Sequence, residues 1–192
     1  MNPGPGRFLM PRVATVALGI LAASFAIACV RTASIPANAT RARAVLLDTL
    51  GREVGTVTLT EVPDMPGVTY AIEIAHGASP GQHGIHFHTV GSCGGTGAFT
   101  SAGAHFNPSN KLHGLLNPAG PHAGDLEAVT VDYMGEATFV ATTTRVKLTP
   151  GPTSLLDADG SAVVLHARPD DQRTDPSGET GARIACGVLN RF

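Results

Sequence analysis

The chain has 192 residues, of which 43% are hydrophobic and only 15% are charged, so it can bury one sizeable core and we expect a single folded domain. Its formal net charge is −2, which excludes the basic field that a nucleic-acid-binding protein needs, so we expect no nucleic-acid partner. With 23 glycines, 14 prolines and no tryptophan, the composition indicates short strands joined by many turns.

The N-terminus has the pattern of an export signal. Arg7 and Arg12 precede an uncharged apolar run, residues 13–28, that is too short for a comfortable membrane span. We therefore expect residues 1–28 to be a signal peptide and the protein to lie in the periplasm or at the cell surface. The run ends at Cys29, which resembles the lipidated first residue of a bacterial lipoprotein and predicts a membrane anchor. A small residue at an ordinary cleavage site gives the same pattern.

The cysteines fit an exported chain. There are three, and exported proteins usually pair their thiols, so Cys93 and Cys186 can form one disulfide if Cys29 carries lipid. Residues 29–42 are small and polar, which suits a flexible tether. The folded domain is then expected over residues 43–192.

From Arg43 onward the hydrophobic pattern is that of strands. In residues 67–74, for example, apolar side chains alternate with polar or small ones, which is typical of a half-buried strand. The predicted strands are residues 44–50, 55–59, 67–74, 82–90, 126–133, 136–143, 161–167 and 183–189. Eight short strands without a persuasive amphipathic helix predict an all-β fold, an antiparallel sandwich or flattened barrel.

Two connections are much longer than ordinary loops. Residues 89–124 and 168–182 contain no obvious strand. Loops of that length in a compact domain are usually functional or disordered, because something must offset the entropy lost on ordering them. A metal and a disulfide would do so.

The histidines are concentrated around the first of these loops. Six of the eight lie between residues 83 and 125. His86 and His88 are two positions apart on a predicted strand, so both rings project from the same face. Histidine is the commonest metal-binding side chain, and this pair therefore predicts a metal site on a rigid element.

The spacing suggests two ligand sets. The series His105, His113, His122 and Asp125 supplies three imidazoles and one carboxylate, the ligand count of a closed tetrahedral zinc site. The other set is all-imidazole and lacks one ligand for a tetragonal Cu(II) site, which His105 could complete by bridging both metals through its two nitrogens. Its members are His86, His88 and His166.

Four segments resemble copper,zinc superoxide dismutase, with coverage from about residue 43 to the C-terminus. They are residues 84–88 (Gly-Ile-His-Phe-His), 101–108 (Ser-Ala-Gly-Ala-His-Phe-Asn-Pro), 122–126 (His-Ala-Gly-Asp-Leu) and 181–188 (Gly-Ala-Arg-Ile-Ala-Cys-Gly-Val). The resemblance implies an eight-stranded Greek-key β-barrel with two long functional loops. It also implies an enzyme that converts superoxide to dioxygen and hydrogen peroxide by copper redox cycling, with zinc as a second cofactor, and that protects the cell envelope against oxidative stress.

The same resemblance implies roles for individual residues. The copper ligands are His86, His88, His105 and His166, and the zinc ligands are His105, His113, His122 and Asp125. Arg183 resembles the family's anion-guiding arginine, and Cys93 and Cys186 resemble its intrasubunit disulfide. Asp170 resembles the aspartate that links one ligand of each metal, although its neighbour Asp171 is also a carboxylate and either could cap a turn.

Two histidines and several charged residues have no clear place in the two ligand sets. His83 resembles a structural histidine of the family and His76 has no matching role, so neither is expected to bind metal. The loop after His166 is short, which leaves undecided whether charges other than Arg183 steer superoxide; the candidates are Arg168, Arg173 and Lys111. The sequence does not choose between a monomer and a homodimer.

Two other classes of copper protein are alternatives. A copper-binding or copper-delivering module without turnover would need neither Arg183 nor the zinc set. A blue-copper electron carrier needs a cysteine thiolate and usually a weak axial methionine, whereas Cys93 and Cys186 are expected to pair with each other. The spectrum of the copper-loaded protein and a superoxide assay discriminate these classes.

Overall fold

Ten β-strands form within residues 34–95 and 98–192, which, with Met1, are the part of the chain that the computed structural model describes. The strands are β1 (Thr40–Asp48), β2 (Glu53–Glu61), β3 (Val68–Ile74), β4 (Gly81–His83), β5 (Ile85–His88), β6 (Val129–Val131), β7 (Ala137–Thr143), β8 (Ala162–His166), β9 (Arg183–Val188) and β10 (Asn190–Arg191). The expected signal peptide, residues 1–28, and Cys29 lie outside the described residues apart from Met1. β1 begins inside the expected tether, three residues before position 43.

Most strands join one antiparallel sheet. Its order is β5-β8-β9-β1-β2-β3-β7, with β10 paired to β1, and β4 pairs with β6 in a second, two-stranded sheet. Strands that are distant in sequence lie side by side, as β5 beside β8 and β9 beside β1, which is the connectivity of a Greek key. The prediction of an all-β antiparallel Greek-key barrel is confirmed.

Alternation along the strands builds the core. β3 buries every second side chain, Val68, Tyr70, Ile72 and Ile74, while the residues between them are exposed or half-buried. The inward residues of the neighbouring strands join them in one apolar cluster, which includes Leu46, Leu59, Ile85, Phe87, Leu126, Leu148 and Leu165. This cluster gives β5 and β8 a rigid base from which their histidines project.

The predicted strand at residues 82–90 is divided at Gly84. Before this glycine β4 pairs with β6, and after it β5 pairs with β8. A Cβ atom at position 84 would lie 2.5 Å from Cγ2 of Thr180, so only glycine fits where the chain changes partner. The division, together with the added β10, explains why ten strands form where eight were expected.

The two long connections are present as expected. Between β5 and β6, the described residues contain one short 3₁₀ helix, Thr100–Ala102, and between β8 and β9 no regular element forms in residues 167–182. A disulfide between Cys93 and Cys186, which are 93 positions apart, ties the first connection to β9 and confirms the expected pair. No helix in the described ranges is long and apolar enough to cross a membrane.

Candidate metal centre

Two strands and one loop bring four histidines together. His86 and His88 lie on β5, His166 ends the neighbouring β8, and His105 is paired to His88 by an isolated bridge from the long loop. All four are buried, because the loop covers the strand face that would otherwise be open to solvent. We call them the four-histidine cluster.

The nitrogens of the four-histidine cluster converge. One ligand atom from each ring lies within 4.8 Å of all the others. Nδ1 of His86 and Nε2 of His88, His105 and His166 are buried and have no hydrogen-bond partner among the described residues. Leaving four buried polar atoms unpaired is costly, so their convergence fits a metal ion as the shared partner. Four imidazole nitrogens form a donor set that suits copper.

The second nitrogen of three of these rings is hydrogen-bonded. Nε2 of His86 is 2.6 Å from Oδ2 of Asp170, and Nδ1 of His88 donates to the carbonyl oxygen of Gly103 at 3.0 Å. Nδ1 of His166 lies 3.1 Å from Oγ1 of Thr180. Because the proton sits on the hydrogen-bonded nitrogen, the opposite nitrogen keeps its lone pair for the centre of the cluster.

A second cluster surrounds one carboxylate oxygen. Oδ1 of Asp125 lies 2.9 Å from Nδ1 of His105, 3.0 Å from Nδ1 of His113 and 3.3 Å from Nδ1 of His122. Ligands bound at 2.0–2.1 Å on the corners of a tetrahedron are about 3.3 Å apart, so these separations match the edges of a zinc coordination shell. We call this set the carboxylate cluster.

His86 also lies close to part of the carboxylate cluster. Its ligand atom groups with those of His105, His113 and Asp125, and its ring stacks on that of His105 with centroids 4.0 Å apart. Nε2 of His86, however, is already engaged by Asp170. Because Nδ1 of His122 lies 3.3 Å from Oδ1 of Asp125, the geometry favours His122 as the fourth member of the carboxylate cluster.

Backbone amides hold the other oxygen of Asp125 in place. Oδ2 accepts hydrogen bonds from the N–H groups of Gly114 at 2.8 Å and of His122 at 2.9 Å. Burial alone would raise the pKa of Asp125, but hydrogen bonds from the three surrounding histidines and Gly114 hold this pKa well below its usual range. The carboxylate therefore stays ionised and presents Oδ1 to the cluster.

Asp170 connects the two clusters. Its Oδ2 is 2.6 Å from Nε2 of His86, and its Oδ1 is 2.9 Å from Nε2 of His113. The neighbouring Asp171 instead accepts hydrogen bonds from the backbone N–H groups of Arg173 and Thr174. Asp170, the carboxylate favoured by its spacing from His166, reaches the histidines, whereas Asp171 caps a turn.

Burial keeps most of the four-histidine cluster neutral. In the metal-free protein, burial lowers the pKa of His105 to about 4 and that of His166 to about 3, and it lowers the pKa of His88 well below the ordinary value. His113 behaves differently: burial opposes its protonation, but hydrogen bonds to Asp125 and Asp170 raise its pKa to about 9. Because ligands bind metal in their unprotonated form, the four-histidine cluster is prepared for a cation at neutral pH, and His113 must first lose a proton.

Arg183 lies beside the four-histidine cluster on β9. Its guanidinium donates to the carbonyl oxygens of Phe99 at 2.8 Å and Gly103 at 2.7 Å. The positive charge contributes to the lowered pKa of His88 and of His166. Among the described residues no carboxylate forms an ion pair with Arg183, nor with the other candidate steering charges, Arg168, Arg173 and Lys111.

The two remaining histidines stay outside both clusters. His83 is buried between strands, with Nδ1 2.7 Å from the carbonyl oxygen of His166 and Nε2 2.8 Å from that of Ser79. His76 is exposed.

Comparison with known proteins identifies the family. The profile described as copper/zinc superoxide dismutase (SODC) matches residues 53–189. This chain belongs to the copper/zinc superoxide dismutase family. It is an oxidoreductase whose substrate is superoxide and whose cofactors are copper and zinc.

Curated superoxide dismutases and a solved structure agree with this assignment. The [Cu-Zn] enzyme of Caulobacter vibrioides is 46% identical over 142 residues, which cover 72% of this chain and 79% of that protein. Superoxide dismutase [Cu-Zn] 2 of Aquifex aeolicus is 40% identical, covering 78% of this chain and 86% of that protein. The crystal structure of a SOD-like protein from Bacillus subtilis has a TM-score of 0.72 at 38% identity, covering 77% of this chain and 97% of that one.

Sequence reasoning missed three residues that hold a histidine or the loops around the clusters in place. Thr180, which contacts His166, lies within a polar loop and carried no motif. Gln172 joins the two long loops by accepting from the N–H of Leu115 and donating to the carbonyl of Leu126. Arg145 donates to the carbonyl oxygen of Asp125. The second loop is dense in polar residues, but the sequence carries no sign of which distant backbone each one reaches.

Proposed function

We propose that the four-histidine cluster binds copper, the carboxylate cluster binds zinc, and His105 is shared between the two ions. The proposal rests on the ring of His105, whose two nitrogens belong to different clusters. Nδ1 of His105 lies 2.9 Å from Oδ1 of Asp125, while its Nε2 is buried without a partner among the described residues and belongs to the other cluster.

The proposed reaction converts two superoxide anions and two protons to dioxygen and hydrogen peroxide. Once bound, copper would supply the one-electron redox change and zinc would supply a fixed positive charge that orders the loop. Nε2 of His105 is the atom at which this chain would hold a proton for the departing peroxide, since the other nitrogen of the same ring faces the carboxylate cluster. Asp170 holds His86 and His113 in a fixed relative orientation while this happens.

Arg183 is proposed to attract and orient the substrate. Its guanidinium carries a positive charge that no carboxylate pairs within the described residues, and two backbone carbonyls fix its direction. Local charge of this kind matters because the chain as a whole has a net charge of −2 and would otherwise repel an anion. The same arginine argues against a module that only stores or delivers copper.

We propose that the enzyme works outside the cytoplasm and protects the cell envelope against superoxide. The signal-like pattern of residues 1–28 supports export, and so does the Cys93–Cys186 disulfide, because disulfides persist in oxidising compartments. Lipidation of Cys29 would anchor the protein to the membrane, while cleavage without lipid would release it.

Two histidine variants test the shared ring. His105→Ala should reduce the content of both metals, whereas His122→Ala should reduce zinc while leaving copper largely in place, because His122 belongs to the carboxylate cluster alone. The measurement is metal analysis of purified protein, paired with a cytochrome c assay of superoxide removal. Equal copper content and unchanged activity in both variants would refute the shared ring.

A further inference from the structure

The hydroxyl group of Thr180 contacts Nδ1 of His166 and bears on which nitrogen of that ring carries the proton. The hydroxyl oxygen of Thr180 lies 3.1 Å from Nδ1 of His166 and 2.9 Å from the carbonyl oxygen of Ser177. A hydroxyl has one hydrogen to donate, and a carbonyl oxygen can only accept. The hydroxyl therefore donates to Ser177 and must accept from an N–H at Nδ1 of His166.

The protonation of Nδ1 has a direct consequence for the four-histidine cluster. With its proton on Nδ1, a neutral imidazole keeps a lone pair on Nε2. Nε2 of His166 is the atom that is buried without a hydrogen-bond partner in the described part of the chain. The carbonyl oxygen of Gly181, 3.4 Å from Nδ1, is a more distant second acceptor for the same proton.

The hydroxyl is held rigidly. Thr180 is fully buried, and its carbonyl oxygen accepts the N–H of Arg168 at 2.9 Å, which extends the pairing beyond the end of β8. Its methyl group packs against Gly84, where an added Cβ would lie 2.5 Å from Cγ2 of Thr180. Backbone and methyl together fix the hydroxyl on the side of His166 away from the centre of the cluster.

We propose that Thr180 is a positioning residue for the copper centre, which holds His166 in the tautomer and ring direction that expose Nε2. This inference rests on the proposed role of His166 as a copper ligand. Asp170 orients His86, and the carbonyl of Gly103 orients His88, by accepting a hydrogen bond from the ring nitrogen that faces away from the centre of the cluster. Thr180 differs from them because its contact depends on one neutral hydroxyl, which valine lacks while keeping the shape of the side chain.

Three substitutions separate the hydroxyl from packing. Thr180→Val removes the hydroxyl and keeps the methyl, Thr180→Ser keeps the hydroxyl and removes the methyl, and Thr56→Val is a control at another buried threonine, on β2. Partners that orient metal-bound histidines typically contribute about 10–100-fold to metal affinity. We expect Thr180→Val to bind Cu(II) at least about 10-fold more weakly than wild type, and Thr180→Ser and Thr56→Val to remain within about 3-fold.

The measurements do not depend on turnover. Proton–nitrogen correlation spectra of the metal-free protein report the tautomer of His166, and competition with a copper chelator reports affinity. Wild type and Thr180→Ser should show the proton on Nδ1 of His166, and Thr180→Val should populate the Nε2-protonated form. The EPR spectrum of the Cu(II)-loaded Val variant should change, and that of the Ser variant should match wild type. If Thr180→Val does not fold, Thr180→Ala carries the same expectation.

The possible outcomes are distinguishable. If the Val and Ala variants retain the wild-type tautomer and copper affinity, Thr180 does not position His166. If Thr180→Ser weakens copper binding as much as Thr180→Val, packing rather than the hydroxyl is responsible and the inference is equally wrong. The variant His166→Ala tests separately whether His166 is a copper ligand. Unchanged copper affinity in that variant would refute the proposed ligand set itself.

Discussion

Arg183 and His88 donate hydrogen bonds to the same oxygen atom, the carbonyl of Gly103, at 2.7 Å and 3.0 Å respectively. One atom of the long loop therefore sets both the direction of a cluster histidine and the place of a nearby positive charge. Gly103 itself has a φ of 76°, a conformation that glycine adopts readily and other residues rarely do. The loop thus couples the geometry of the proposed copper site to its electrostatic field.

Reversing the charge of Arg183 should slow the enzyme. In Arg183→Glu we expect kcat/KM for superoxide to fall at least about 10-fold at low ionic strength, because local charge steers small anions over a range of about 10–10³-fold in rate. Added salt should slow wild type and accelerate the variant, since screening weakens attraction and repulsion alike. Arg183→Lys keeps the charge and should retain most of the activity. A salt profile in Arg183→Glu that matches wild type, with metal content intact, would exclude the steering role.

Substitution of Asp170 should weaken zinc binding more than substitution of its neighbour Asp171. Both of its oxygens accept from histidines, and an asparagine has only one acceptor oxygen, so Asp170→Asn must lose one of the two contacts. We expect zinc affinity to fall about 10–100-fold in this variant. Asp171→Asn is the matched control, because Asp171 is exposed and only caps a turn. Isothermal titration of the metal-free proteins measures the difference, and equal zinc affinities in both variants would contradict the proposed link.

Loss of the disulfide should destabilise the fold. Cys93 and Cys186 are 93 positions apart, and removing a disulfide from a small exported domain typically costs about 2–5 kcal/mol. We expect the double variant Cys93→Ala, Cys186→Ala to lose stability in that range. Chemical unfolding of the metal-free protein avoids the added contribution of bound metal. A loss below about 1 kcal/mol would show that the long loop is ordered by other contacts.

The metal-free protein should lose stability on acidification below pH 6.5. Burial lowers the pKa of His105 to about 4 and of His166 to about 3, whereas both titrate near 6.5 when the chain is unfolded. Between these values the unfolded chain binds more protons, so a falling pH favours unfolding. Unfolding midpoints measured from pH 7 to pH 4 test this. A midpoint that is constant over that window, or that rises towards pH 4, would contradict the assigned burial.

Because of His113, the stability of the metal-free protein should also fall as the pH rises above 6.5. Its pKa is raised to about 9 despite burial, by hydrogen bonds to Asp125 and Asp170, so the folded metal-free protein holds a proton that the unfolded chain has already lost. The stability that this proton contributes is complete below pH 6.5 and is lost as the pH rises through 9. His113→Ala should therefore flatten the decline in stability between pH 6.5 and pH 9. A decline in stability between pH 6.5 and pH 9 that is as steep in His113→Ala as in wild type would contradict this role of His113.

Much of the site could be predicted from local spacing. His86 and His88 share a strand face because side chains alternate along a strand, and the series from His105 to Asp125 has the composition of a zinc site. The structure brings all seven residues together. Spacing from His166 also favoured Asp170 over Asp171, but the contact of Asp170 with His86 could not be predicted in this way, because the two residues are 84 positions apart.

The limits of the sequence prediction have a physical cause. The predicted strand at residues 82–90 has one continuous hydrophobic pattern, yet it divides at Gly84 because the chain changes its pairing partner there. Thr180 approaches Gly84 so closely that a Cβ atom at this position would lie 2.5 Å from its Cγ2, and periodicity does not record such a contact. The contacts of Arg183 could not be predicted from the sequence either, because its partners are backbone carbonyls of a loop rather than side chains.

The most direct test is a crystal structure of the protein loaded with both metals in the oxidised form, with anomalous scattering recorded at the copper and zinc absorption edges. We expect two separate peaks, with copper bound by Nε2 of His105 and zinc bound by Nδ1 of the same ring at about 2.0–2.1 Å. A single mixed-metal position, or a ring of His105 that binds only one of the two ions, would contradict the shared-imidazole account.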